Sequence, residues 1–185
     1  MPEIISILGF AGSLRKQSFN KAILRFASTL DLKGVKIDVF DLEGIPPFNQ
    51  DMENQPPDNV KAFKAKIRAA DAILIATPEY NYSIPGVLKN AIDWASRPSG
   101  DNSLGGKPVG IMGASTGMLG TARAQYHLRQ CFVSLNMQPL NKPEVMVTVA
   151  QDKIDQNGNV TDAQTREKIA GLVTALADWC KKLKA

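Results

Sequence analysis

Gly9-Phe-Ala-Gly-Ser-Leu-Arg-Lys-Gln-Ser-Phe-Asn20 is the stretch around which the chain is organised. The apolar run Ile4-Ile-Ser-Ile-Leu8 precedes it, and an amphipathic segment over residues 21–32 follows. Strand, glycine-containing loop and helix in that order is what a nucleotide phosphate needs. The start of a helix offers unpaired N–H groups and partial positive charge to an anion. Gly9 and Gly12 are expected to let the loop turn tightly and approach a ligand. Ser13, Ser18 and Asn20 add neutral donors, and Arg15 adds a two-pronged charged donor.

The loop also lacks things. No Gly-Lys-Ser/Thr ends it, so the lysine and magnesium-holding hydroxyl of a Walker A loop are missing. Its glycines are spaced G-x-x-G, so the dinucleotide pattern G-x-G-x-x-G fails as well. Hydroxyls, an amide and one arginine suit a terminal monophosphate. An ordinary strand-to-helix turn with a Ser or Asn cap uses some of the same residues.

The 185 residues, 44% apolar and 22% charged, fit one globular domain spanning 1–185. Net charge is +4, with the basic residues scattered and the one dense group, Lys181-Lys182-x-Lys184, ending a helix. That pattern argues against nucleic acid as a partner. Cys131 and Cys180 are the only cysteines, and both fall on apolar helix faces, as buried free thiols do. No basic leader or apolar run of membrane-spanning length is present, so the expected compartment is the cytoplasm.

Further along, the 35–40 segment alternates as an edge strand and Ala72-Ile-Leu-Ile-Ala-Thr77 reads as a fully buried one. Pro108-Val-Gly-Ile-Met-Gly113 is a fourth strand and residues 145–149 a fifth. Helical stripes fall between them, with Asp58 and Asp162 as expected caps of the second and last helices. Five strands alternating with five helices give an α/β fold, a doubly wound parallel sheet covered on both faces. Ligands of such sheets bind outside the carboxyl ends of the strands, where strand order reverses. The loops after strands one, three and four are the glycine- and polar-rich ends, so they converge on that crevice.

Pro78-Glu-Tyr-Asn-Tyr-Ser83 follows strand three. Tyr80 and Tyr82 suit an aromatic wall, and Asn81 and Ser83 suit hydrogen bonds to a heterocycle edge; a packed surface turn would use the same residues. Ser115-Thr-Gly117 follows strand four and either closes the site or simply turns into a helix. His127, the only histidine, reads as a surface or packing residue, and no catalytic side chain or metal ligand set is expected. Lys153-Ile-Asp-Gln-Asn-Gly158 lacks the acidic residues of a calcium loop at both ends.

Gly12-Ser-Leu-Arg15 with Ser18-Phe-Asn20, then Pro78-Glu-Tyr-Asn81, then Pro85-Gly-Val-Leu-Lys-Asn-Ala-Ile-Asp-Trp94 resemble the NADPH-dependent FMN reductase family. Within it the chain is most similar to bacterial chromate and quinone reductases. The resemblance implies a flavodoxin-like fold of sheet order 2-1-3-4-5 and bound FMN. It also implies electron transfer from NADPH or NADH to quinones, flavins, azo compounds or chromate, and a crevice with one open ring face makes that transfer ping-pong. Ser13, Arg15, Ser18, Phe19 and Asn20 would hold the FMN phosphate and its surroundings. Pro78, Glu79, Tyr80, Asn81, Tyr82 and Ser83 would line the ring, with Ser115 and Gly117 completing the site. A homodimer or homotetramer is implied too. The helix after Pro85 is the expected interface, because Val87, Leu88, Ala91, Ile92 and Trp94 exceed what one sheet face requires. A flavodoxin-type carrier without turnover is the alternative, but the phosphate loop Thr-x-Thr-Gly-x-Thr is absent and the chain is not acidic. A flavin-free nucleotide-binding regulator is the other alternative.

Overall fold

The computed structural model describes residues 4–184. Along the chain run β1 (Ile5–Ala11), α1 (Phe19–Ser28), β2 (Val35–Phe40), α2 (Asp58–Ala69), β3 (Ala72–Ala76) and α3 (Gly86–Ala95). Then come β4 (Pro108–Ala114), α4 (Ala122–Leu135), β5 (Gln138–Pro139), β6 (Val145–Val147) and α5 (Ala163–Lys184). All pairings are parallel, in the order β2-β1-β3-β4-β5, with β6 also on β4. This is the 2-1-3-4-5 order expected, and order reverses between β1 and β3.

The fifth strand departs from expectation. In place of one strand over 145–149, β5 pairs with Pro108 and Val109, and β6 pairs with Met112, Gly113 and Ala114. Pro139 and Pro143 carry no N–H for a continuous ladder, so the chain leaves the sheet between them. After β6, Val149 takes a left-handed φ of 47° and turns the chain into a short 3-10 turn.

Two glycines also do something other than expected. β1 extends through Gly9, which pairs with Val39 on one side and Leu74 on the other. A Cβ there would stand 2.6 Å from Leu24 Cδ1, so the missing side chain lets α1 lie against the sheet. A Cβ on Gly12 would meet Leu88 Cβ at 2.9 Å and Pro85 Cγ at 3.0 Å, so Gly12 admits α3. Both glycines serve helix-to-sheet packing and leave the phosphate loop to be shaped by other residues.

Helices cover both faces. Ile7 and Leu74 pack with Ile23 and Leu24 of α1 and Leu172 and Leu176 of α5. On the other face Phe10, Ile73 and Ile111 meet Phe63 of α2, Leu88 of α3 and Phe132 of α4. Phe10 and Phe63 contact edge to face, with centroids 5.2 Å apart. Asp162 caps α5 as expected, its Oδ2 accepting from the Thr165 amide at 2.7 Å. Asp58 does not cap α2: it is the first helical residue, after Pro57, and bonds Lys61 instead. Cys180 is buried, with its thiol 3.7 Å from the Asp71 carbonyl, and Cys131 is only half-buried; the two form no disulfide.

Of the five apolar residues that suggested an interface on α3, four are already covered within the chain and Val87 is half-buried. Leu88, Ala91, Ile92 and Trp94 are at most 3% exposed within one chain, and Trp94 Nε1 donates to the Pro46 carbonyl at 2.8 Å. The long 41–57 loop folds over α3 and covers the surface that an isolated sheet face would have left bare.

Candidate functional site

The carboxyl ends of β1, β3 and β4 lie side by side and are tied together just beyond the strands. Gly12 donates from its amide to Ala76 O at 2.9 Å, and Thr77 likewise to Met112 O at 3.0 Å. The loops leaving these ends are therefore neighbours, as the sequence predicts.

At the first loop, Ser18 caps α1 by accepting from the Lys21 amide at 3.4 Å. The amides of Phe19 and Asn20, in the first turn, have no carbonyl to meet within the helix. Ser13 and Ser18 are nearly buried, while Arg15 is exposed and reaches over the Phe19 ring, 5.3 Å from its centroid. Lys21 is engaged elsewhere, 2.8 Å from Asp41. Burial raises the Asp41 carboxyl, but the Lys21 hydrogen bond and the Glu43 amide outweigh it and hold the group below its usual range. The donors between Gly12 and Asn20 are thus backbone amides, the hydroxyls of Ser13 and Ser18, the Arg15 guanidinium, the Lys16 ammonium and the Gln17 amide, with no carboxylate. That set fits a phosphate dianion.

Asn20 is placed differently from expectation. Its buried side-chain amide bonds both backbone groups of Ala114 at the end of β4, donating and accepting at 2.9 Å. Its side chain therefore fixes where α1 begins.

The second loop is a tight turn. Tyr80 and Ser83 exchange both backbone hydrogen bonds, at 3.1 and 2.9 Å. Between them Asn81 and Tyr82 have φ of 52° and 62°, the two left-handed residues of a type I′ turn. Asparagine accepts that conformation, but a tyrosine there costs on the order of 1–3 kcal/mol. The turn pushes both tyrosines outward, Tyr80 57% and Tyr82 65% exposed, with Asn81 between them. Pro78 and Glu79 point the other way. Pro78 is buried, and Glu79 accepts from the Ala124 amide at 3.1 Å and from Arg123 Nη1 at 3.3 Å. Thr121, at the start of α4, makes no side-chain cap of its own, so Glu79 supplies the negative charge that this helix end favours.

Sequence reasoning missed Arg123, while His127 is the exposed surface residue expected, with a contact to the turn that the sequence did not suggest. The Arg123 guanidinium carbon lies 3.8 Å from the centroid of the Tyr82 ring. His127 Nδ1 sits 3.0 Å from Ser83 Oγ. Their spacing of four on one predicted helix was the available signal. In the third loop Ser115 Oγ accepts from the Gly117 amide at 3.1 Å, and a Cβ on Gly117 would meet nothing closer than 3.6 Å. Space above Gly117 is therefore open to a ligand.

Two depressions flank these loops. One, of about 580 Å³, lies on the outer side of α1 between Arg15, Phe19, Arg25 and the 151–158 segment. Arg25 there is bound to the Asn157 and Gly158 carbonyls. The other, of about 590 Å³, lies beside the turn, lined by Ser83, Gly86, Lys89 and His127. Among the described residues no three His, Cys, Asp or Glu gather as a metal site, and no helix is long and apolar enough to cross a membrane.

The family model for NADPH-dependent FMN reductase matches residues 5–152. An NAD(P)H-dependent FMN reductase of Pseudomonas aeruginosa is 51% identical over the whole of both chains. A quinone reductase of Escherichia coli is 42% identical, again over all of both chains. Among solved structures, the flavoenzyme NAD(P)H:acceptor oxidoreductase FerB of Paracoccus denitrificans superposes with a TM-score of 0.88 at 35% identity, covering 97% of this chain and 98% of its own. With the family model matching residues 5–152 and relatives 42–51% identical along their full length, the chain belongs to the NADPH-dependent FMN reductase family.

Proposed function

We propose that the protein holds FMN across the ends of β1, β3 and β4 and passes electrons from NAD(P)H to quinones. The observation that carries this reading is the convergence of a carboxylate-free phosphate loop with an outward-facing aromatic turn at the point of strand reversal. Ser13, Arg15, Ser18 and the first amides of α1 bind the phosphate. Tyr80, Asn81, Tyr82 and Ser83 wall and orient the ring, and Ser115 with Gly117 leaves room for its near edge. Bound FMN supplies the redox chemistry, accepting a hydride and delivering two electrons. The chain's own residues bind, orient and leave one face open, on which donor and acceptor alternate. No side chain is needed as a general base.

The relatives named as quinone reductases support the choice of quinone over the other acceptors of the family. A cytoplasmic location follows from the need for NAD(P)H and agrees with two cysteines that form no disulfide. A homo-oligomer is also proposed, with its support moved from α3 to α4. Tyr126 and Val133, two turns apart on α4, are 52% and 84% exposed, and Met118 just before that helix is 78% exposed. Apolar side chains aligned this way suit a second copy.

The test is direct. Purified protein should be yellow, release FMN on denaturation, bleach under NADPH and regain colour with a benzoquinone. Protein that stays colourless after reconstitution with FMN would overturn the reading.

A further inference from the structure

We propose that Arg123 and His127 are positioning residues: a clamp on α4 that holds the 78–83 turn in its left-handed shape before any ligand arrives. The inference rests on the reading of that turn as the ring site. Four observations carry it. Asn81 and Tyr82 both have positive φ, which a tyrosine adopts only when its surroundings compel it. Arg123 covers one face of the Tyr82 ring at 3.8 Å, the separation of a close cation–π contact. The same guanidinium bonds Glu79, whose other oxygen receives the Ala124 amide, so the start of the turn is anchored to the same helix end. One helical turn on, His127 holds Ser83, the residue that closes the turn.

The hold is therefore applied at Glu79, just ahead of the Tyr80–Ser83 pair, at the strained Tyr82 and at the closing Ser83, all from the first two turns of one helix. A glycine at position 82 would have produced the same backbone without help, since Asn-Gly is the preferred I′ pair. The chain instead keeps a tyrosine there and supplies outside contacts that compensate for its conformation. That arrangement makes sense if the ring of Tyr82 is itself needed at the site. The clamp then lowers the ordering cost of binding, because the turn is already shaped when the flavin arrives. His127 acts through one hydrogen bond and is the weaker point of the clamp, while Arg123 makes both a charge-assisted bond and the stacking contact.

The test reads hydrogen exchange at the Tyr80 and Ser83 amides in the FMN-free full-length chain, together with FMN affinity by fluorescence titration. Arg123→Ala should speed exchange at these two amides about tenfold while leaving β1 and β3 amides unchanged. It should also weaken FMN binding about tenfold, equivalent to ~1.4 kcal/mol. His127→Ala should do the same by a few-fold. Adding Tyr82→Gly to Arg123→Ala should restore slow exchange, because glycine takes the turn conformation unaided. Unchanged exchange in Arg123→Ala would overturn the clamp, even if FMN binding falls, since Arg123 would then be a direct contact. Faster exchange with unchanged FMN affinity would overturn the claim that the shape of the turn serves the flavin. Wild-type protein that never takes up FMN would instead sink the proposed function, and the exchange arm would still decide the clamp.

Discussion

Asn20 and Ala114 are joined twice, the Asn20 side-chain amide donating to the Ala114 carbonyl and accepting from its N–H, both at 2.9 Å and both buried. The pair lies 94 positions apart in the chain and locks the first turn of α1 to the end of β4. Asn20→Ala leaves two buried backbone groups unpaired, at a cost on the order of 1–3 kcal/mol each. Urea unfolding of the FMN-free protein should show this loss. An unchanged midpoint would mean that Ala114 finds other partners.

Arg15 is the counterpart case. Its guanidinium is exposed and makes no ion pair among the described residues, so removing it should leave the FMN-free fold intact. Arg15→Ala should weaken FMN by about ten- to a hundredfold, on the order of 1.5–3 kcal/mol for charge-assisted bonds. A titration giving wild-type affinity would place the phosphate elsewhere. Comparing it with Asn20→Ala separates a ligand donor from a structural tie within one loop.

Gly113 and Gly117 stand four residues apart and should respond oppositely to alanine. A Cβ on Gly113 would fall 1.8 Å from Thr121 Oγ1 and 2.5 Å from Thr77 O, a clash with the backbone itself. Gly113→Ala should destabilise by at least about 1–3 kcal/mol, the usual cost of overpacking. Gly117→Ala meets open space and should leave stability within about 0.5 kcal/mol while weakening FMN. Equal FMN affinity in Gly117→Ala and wild type would remove this loop from the flavin site.

Asp162 gives a pH signature unrelated to the site. The side-chain and backbone hydrogen bonds of Thr165 hold its carboxyl below the usual aspartate range. A depressed folded-state value contributes stability that is present above the unfolded value, about 3.9, and is lost as pH falls through the folded one. Asp162→Ala should therefore be less stable than wild type at neutral pH. The gap should narrow as both are titrated below the unfolded value of about 3.9 and through the lower folded one. A gap independent of pH would show that the carboxylate charge plays no part.

The kinetic expectation follows from one open face at the strand ends. Initial rates varied in NADPH and quinone should give parallel double-reciprocal lines, with excess quinone inhibitory. Intersecting lines would show that donor and acceptor bind together.

Much of this protein is local in origin. The strand, loop and helix around Ser18, the buried run of β3 and the Asp162 cap are each written in a few consecutive residues. Apolar period and capping chemistry act over one or two turns of chain, so they can be read without a structure. The order of the sheet is not local in this sense: the alternation of strands and helices indicates a parallel sheet, and the order 2-1-3-4-5 came with the family resemblance. What the tertiary structure alone decided is which of several adequate partners each polar or small residue meets. Asn20 faced a choice between an anion and a backbone strand end, and β4 took it. Glu79 turned from the ring turn to the start of α4, where helix charge and a free amide wait. Gly9 and Gly12 became packing sites because Leu24 and Leu88 arrive from other elements, and α3 lost its bare face to the 41–57 loop. In each case the competing interactions have similar energies locally, and only the position of a distant element separates them.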